Sequence, residues 1–322
     1  MNEKVIRITG LFAPLWREAQ EETPSPDKMP LLAHYCSLPV LESIVKNNEM
    51  WFSNPLFMND LDELRFGMRQ SRERFRQNEA IANAFSKAEQ YEAFSKLVED
   101  AYDGLEQGGA FDIYVLCFCA HERGNSDGLL SMWRGYGANG GGAAIVFDPS
   151  KLNFIQESPI QIGRVRYGSN DERIVWIDEL LSRVADALRG NELDDEELRL
   201  AAYFSVERML TFALFTKHNG FDEEREWRAV YLRHHDYQKK LTDCLSYLVT
   251  HSGVHPKLKL KFEPLPGAVD ANVSLENLVE SIILGPSLAN ALSKMAICRM
   301  LEHLGRPDLA TRVRSSSTPF RN

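Results

Sequence analysis

No uncharged apolar stretch in this chain is long enough to cross a bilayer. The longest, such as 113–120 and 209–216, hold eight residues each, whereas a spanning helix needs about 20. The opening residues Met1-Asn2-Glu3-Lys4 are not followed by such a run, so no secretory signal is expected. Cysteine is scarce. Cys36, Cys117, Cys119, Cys244 and Cys298 make an odd count, mostly in apolar surroundings. That pattern predicts reduced, buried thiols and a cytoplasmic protein. Cys117 and Cys119 would share one face of a strand, but no second pair or histidine cluster completes a zinc-type spacing, so no metal is expected. Positive charge is in deficit too. The 37 Lys and Arg against 46 Asp and Glu give a net charge of −9, which argues against bulk capture of nucleic acid and leaves room for a local basic patch. The phosphate-loop pattern GxxxxGK[ST], the metalloprotease pattern HExxH and the nucleophile elbow GxSxG are all missing.

What is present is ordinary for a folded chain. The 322 residues, 44% hydrophobic and 26% charged, supply a sizeable core and exclude disorder as the main state. Residues 1–29 combine a short apolar patch (Val5, Ile6, Ile8, Leu11, Phe12) with Thr23-Pro24-Ser25-Pro26, and read as an N-terminal arm or linker. Residues 30–322 read as a single domain. It opens with a strand at 31–35, an N-cap at Ser37, a short helix striped by Leu38, Leu41, Ile44 and Val45, and a strand at 50–54 stopped by Pro55. A long helical stretch is expected over 60–104. In it Arg65, Arg69, Arg72 and Arg76 share one face, either a phosphate or RNA stripe or a solvated surface.

Residues 112–120 and 143–148 read as fully buried strands, and 137–142 as a flexible glycine loop between a helical turn and a strand. Alternation predicts half-buried strands at 162–167, 227–232 and 258–262. Helices are expected at 171–189, 194–217 and 288–304, the second of them apolar on most sides, with short strands at 282–284 and 311–316. Strands and helices mix without regular βαβ alternation, which predicts an α+β fold.

Several polar residues fall where strands begin or end: His34-Tyr35, Ser53-Asn54, the segment Trp133-Arg134-Gly135-Tyr136, and Glu224-x-Glu226 with Trp227-Arg228. Each has a plain structural alternative. His34 suits a satisfied core histidine, the acidic run a solvated turn, and Trp133 and Tyr136 a cap on a core. Strand ends that converge on a cleft are also a common site layout.

Taken together, these segments resemble a bacterial family of unknown function whose members are similar in fold to mono-ADP-ribosyltransferases. The matching residues are His34-Tyr35-x-Ser37, Trp51-x-Ser53-Asn54, Asn59-Asp60-x-x-Glu63, Met132-Trp133-x-x-Tyr136, and Gly141-x-x-Ala144-x-x-Phe147-Asp148. Further matches are Lys217-His218-x-x-Phe221-x-x-Glu224-x-Glu226-Trp227-Arg228, Ile283-Leu284-Gly285-Pro286 and Ser317-Thr318-Pro319-Phe320-Arg321. The resemblance implies an ADP-ribosyltransferase-like split β-sandwich core with helical insertions. It implies NAD as co-substrate and no metal. It gives His34, Tyr35, Ser53, Asn54, Trp133, Arg134, Tyr136 and Arg228 binding roles, Glu226 the catalytic role, and Glu224 second place in that role.

The expected activity is therefore an NAD-dependent ADP-ribosyltransferase or NAD glycohydrolase. Breaking the nicotinamide–ribose bond builds positive charge on the sugar, which a fixed carboxylate stabilises more than the neutral ground state. The acceptor is a protein, a nucleic acid or water, and no membrane partner is expected. The alternative is a non-catalytic nucleotide- or nucleic-acid-binding module acting through the arginine stripe. A role in a toxin or phage-defence system overlaps with either.

Overall fold

The computed structural model describes residues 3–21, 24–58, 61–153, 155, 158–251 and 253–320. Asn59, Asp60 and Arg321 of the matching segments lie outside them. The helices are α1 (Glu3–Glu21), α2 (Leu38–Asn47), α3 (Leu61–Arg76), α4 (Glu79–Ala82), α5 (Ala88–Gln107), α6 (Leu130–Gly135), α7 (Asn170–Leu188), α8 (Asp195–Leu214), α9 (Leu275–Leu278), α10 (Ala291–His303) and α11 (Pro307–Thr311). The strands are β1 (Leu31–Cys36), β2 (Glu49–Ser53), β3 (Ile113–His121), β4 (Ala143–Phe147), β5 (Ile160–Arg164), β6 (Arg166–Gly168), β7 (Thr216–His218), β8 (Glu226–Leu232), β9 (Leu245–Thr250), β10 (Gly253–Lys261), β11 (Val279–Leu284) and β12 (Val313–Ser315). No helix among the described residues is long and apolar enough to cross a membrane.

The chain divides into two compact units interleaved in sequence. One comprises 1–23, 54–113 and 163–221, the other 24–53, 114–162 and 222–322. The first is helical. Its core gathers Ile8, Phe12 and Leu15 of α1, Phe75 of α3, Phe94, Val98 and Tyr102 of α5, and the apolar stripes of α7 and α8. Capping boxes start the last two helices: Ser169 pairs with Glu172, and Asp194 with Glu197. As expected from its sequence, α8 is buried on most sides.

Residues 3–21, expected as part of an arm, are instead a helix whose Ile8, Phe12 and Leu15 are buried. The expected helical stretch 60–104 is broken at Asn78, whose side chain caps α4 by accepting the Ile81 N–H. The predicted helix 194–217 ends at Leu214, and 216–218 pairs with β6 in a small parallel sheet.

The second unit is built on a mainly antiparallel sheet, with order β12-β11-β4-β1-β3-β2-β10-β9 and with β8 beside β3 and β5. Its β11–β12 ladder is parallel, whereas β1 with β3 and β4, β2 with β3 and β10, β9 with β10 and β4 with β11 run antiparallel. The expected α+β mixture is therefore present. One sheet face carries the large core, including Phe52, Leu116, Ile145, Phe147, Tyr231, Leu258 and Ile282 under α2, α9, α10 and α11. The other carries a smaller core of Leu31, Ala33, Tyr35, Cys119, Ala144, Val146 and Ile283 with Met132 and Trp133 of α6. Side chains alternate faces along each strand, so β1 sends Tyr35 to the smaller core and His34 to the opposite side. All seven residues of β8 are buried, where alternation predicts half-burial: Ala229 and Tyr231 face the large core, and on the other face Glu226 and Arg228 are buried as a pair.

Candidate active site

β3 organises the site. It pairs with β1 through Leu31↔His121, Leu32↔Ala120 and Ala33↔Cys119, and with β2 through Ser53↔Val115. β1 keeps its pairing with β4 as far as Cys36, but its ladder with β3 stops before His34. At that break the His34 ring reaches across, with Nδ1 3.1 Å from the Cys117 carbonyl oxygen. A carbonyl only accepts, so Nδ1 carries the hydrogen. Burial holds the imidazole below its ordinary pKa, so it is neutral near pH 7, and Nε2, an acceptor, meets no hydrogen-bond donor among the described residues. The ring stands edge-on to Phe118, centroids 6.1 Å apart. His34 thus fills a gap in backbone pairing.

Tyr35 and Trp133 are a packing pair. Their rings meet edge to face at 4.8 Å. The Tyr35 hydroxyl accepts the Leu129 N–H at 2.9 Å, and the Trp133 indole donates to the Asp127 carbonyl at 2.7 Å. Trp133 is wholly buried. Asp127 also anchors the tail: its carboxylate accepts from the Ser317 N–H and hydroxyl, and its carbonyl from the Ser316 hydroxyl. The glycine loop is equally tied down. A Cβ on Gly142 would meet the Cys36 carbonyl at 2.2 Å, and Gly285 N–H donates to Gly142. This loop is a packed turn, with Ala138, Asn139 and Gly140 at positive φ.

Beyond α6 the side chains turn outward. Arg134 and Tyr136 are exposed, and the Tyr136 hydroxyl donates to Glu224 Oε1 at 3.0 Å. Glu224 is half-buried. Glu226 and Arg228 point to one face of β8 and form a buried bidentate pair, Nε to Oε1 at 2.8 Å and Nη2 to Oε2 at 3.0 Å. Adjacent Arg225 adopts φ +44° and pairs with Glu122 at 2.9 Å. The structure therefore brings Tyr136 to Glu224 across 88 residues, and separates the two glutamates by environment. Glu224 is reachable, while both oxygens of Glu226 are engaged by Arg228.

Ser53, at the end of β2, lies in register with Lys257 of β10, whose Nζ donates to its hydroxyl at 2.6 Å. Sequence reasoning missed Lys257. The only local hint was the alternation running into 258–262, and the pairing spans 204 residues. In the helical unit, Asn54 is fully buried. Its amide donates to the Ala110 and Ile113 carbonyls, and its oxygen accepts the Leu56 N–H, so it clasps backbone. The arginine stripe of α3 is partly neutralised within that unit. Arg72 bonds Glu99 and Asp103, and Arg76 bonds Glu99 in a fork. Arg65 and Arg69 are exposed. The cysteines are all free, and burial pushes the thiols of Cys36 and Cys119 up to about 12.

Residues 132–229 match the model of a family described as a protein of unknown function, DUF2971. That stretch holds Trp133, Arg134, Tyr136, Glu224, Glu226 and Arg228 and leaves out His34, Tyr35, Ser53 and Asn54. The expected kinship with a family of unknown function is thus found on this segment. No curated protein and no solved structure matches the chain.

Proposed function

We propose that this chain cleaves the nicotinamide–ribose bond of NAD and passes ADP-ribose to an acceptor, with water as the simplest. The reading is supported above all by the Tyr136–Glu224 contact, which sets an exposed aromatic ring beside a reachable carboxylate. A flat aromatic leaving group calls for the first and a cationic sugar for the second. Exposed Arg134 suits the phosphates.

In this reading the bond from the ribose C1′ to the nicotinamide nitrogen breaks, and its electron pair leaves with neutral nicotinamide. The acceptor's nucleophile bonds to C1′ and gives its proton to Glu224. Glu224 is then the catalytic carboxylate, because it is reachable. Glu226 is a positioning residue, its ionised form fixed by Arg228 two residues along β8.

The test is nicotinamide release from NAD by the purified full-length chain, with and without cell extract as a source of acceptors. Glu224→Gln is expected to lower turnover by about 100-fold or more while the melting temperature stays unchanged. Glu226→Gln is expected to cost less in turnover and more in stability. No release by the wild type at millimolar NAD, or an undiminished rate in Glu224→Gln, overturns the reading.

A further inference from the structure

Across β2, β10 and β9, one row of residues places Lys257 between two hydroxyls. Lys257 is in register with Ser53 on one side and with Ser246 on the other. Residues opposite one another in a ladder share a sheet face, and adjacent strands lie about 4.8 Å apart. The row therefore spans about 10 Å and presents hydroxyl, ammonium and hydroxyl on one surface. All three residues are half-buried.

Lys257 donates to Ser53 and has no carboxylate paired with it among the described residues. The Ser53 oxygen accepts from Lys257, so its own hydrogen remains a donor, and Lys257 keeps two further N–H donors. The Ser246 hydroxyl has no protein partner among the described residues. The same face of β10 carries Lys259, whose ammonium stands 4.1 Å from the centroid of the Trp51 ring. The acid nearest in register is Glu49, opposite Lys261, and its Oε1 already takes the Trp51 indole N–H at 2.7 Å.

We propose that the Ser53–Lys257–Ser246 row is an oxyanion subsite that takes a pyrophosphate-bearing ligand. A half-buried ammonium without an acid is costly to keep, and burial lowers the Lys257 pKa with no neighbouring charge to restore it. An anion across the row supplies the missing charge and meets a donor on each strand. Two linked phosphates span three strands better than one. The subsite is argued without the NAD reading and uses groups other than Tyr136 and Glu224, so either can fail alone.

The experiment is calorimetric titration of the full-length chain with inorganic pyrophosphate at low salt. The wild type is expected to bind, and Lys257→Met to weaken binding about tenfold or more, the loss of one charge-assisted contact. Lys257→Arg should stay within about threefold of the wild type, and Ser246→Ala should weaken binding by about threefold to tenfold. Ser246→Ala removes one half-buried hydroxyl and keeps the test open if Lys257→Met fails to fold. Wild type that gives no binding at ~10 mM pyrophosphate, or binding unchanged in both Lys257→Met and Ser246→Ala, overturns the proposal.

Discussion

The helical unit and the sheet unit differ in where most of their ionised groups lie, although each also holds a buried arginine on a glutamate, Arg173 on Glu63 in the first and Arg228 on Glu226 in the second. In the helical unit, ionised side chains find each other on the helix surfaces. Arg72 meets Glu99 and Asp103, Arg74 meets Asp178, and Lys4 meets Asp194 and Glu196. These pairs are partly exposed, the kind that contribute little each and mostly set solubility and register. In the sheet unit, polar groups sit among strands, and several keep capacity the protein does not use. Among the described residues the His34 Nε2 meets no donor, and the Lys257 ammonium bonds a hydroxyl and no carboxylate. Glu224 lies within reach of solvent beside an exposed tyrosine. Groups left half-satisfied in a packed setting cost stability, and those of the sheet unit are the ones on which the proposed activity and the proposed anion subsite draw. The helical unit reads as scaffold, the sheet unit as site.

The contrast is broken most severely at Glu226. Its carboxylate and the Arg228 guanidinium are buried and doubly bonded. Glu226→Ala strips Arg228 of that carboxylate and should cost about 3–5 kcal/mol. Urea denaturation of the full chain measures it. A loss below about 1 kcal/mol would show that the pair contributes no more than the surface pairs of the helical unit.

The fold was partly readable because its strands are short apolar runs between clear stops. β3 and β4 announce themselves as near-continuous apolar segments and β1 as one interrupted by His34, and Asn48 at φ +55° lets α2 turn directly into β2. α1 was hidden by Pro14 inside it and by the proline cluster after it, both of which look like linker. β9 escaped because Tyr247 and Val249 are exposed, so no buried face marks it. The site was readable only where its members are close in sequence. Glu226 and Arg228, two apart on a strand, must share a face. Ser53 with Lys257 meets only through strand register, and Tyr136 with Glu224 only where the end of α6 meets the turn before β8; both contacts are non-local and leave no trace in spacing.

His34 sharpens the comparison through pH. Its folded pKa lies below the unfolded value of about 6.5. As pH falls below 6.5 the unfolded chain takes a proton that the folded ring resists, so stability declines until the folded pKa is reached. His34→Gln keeps a donor for the Cys117 carbonyl without the titration. It should flatten the decline in urea midpoint between about pH 7.5 and 5.5. Part of the slope should persist, because burial also lowers the pKa of His121. An unchanged slope would mean that His34 is as well solvated as a surface histidine.

The smallest effect is expected in the helical unit. Arg72 is mostly covered, bonds two acids and lies 5.7 Å from the Tyr102 ring centroid, so Arg72→Ala should cost about 1 kcal/mol. Arg76, more than half exposed, should cost less. Both bonds hold the Glu99 carboxyl below its ordinary range, Arg76 most strongly. The stability they confer is therefore present above the unfolded carboxylate value of about 4.3 and is lost as pH falls through the lower folded value. Arg76→Ala should shrink that acid-side loss while leaving pyrophosphate binding and nicotinamide release untouched. If it weakened either, the α3 stripe would be a ligand surface in its own right, and scaffold and site would no longer divide between the two units.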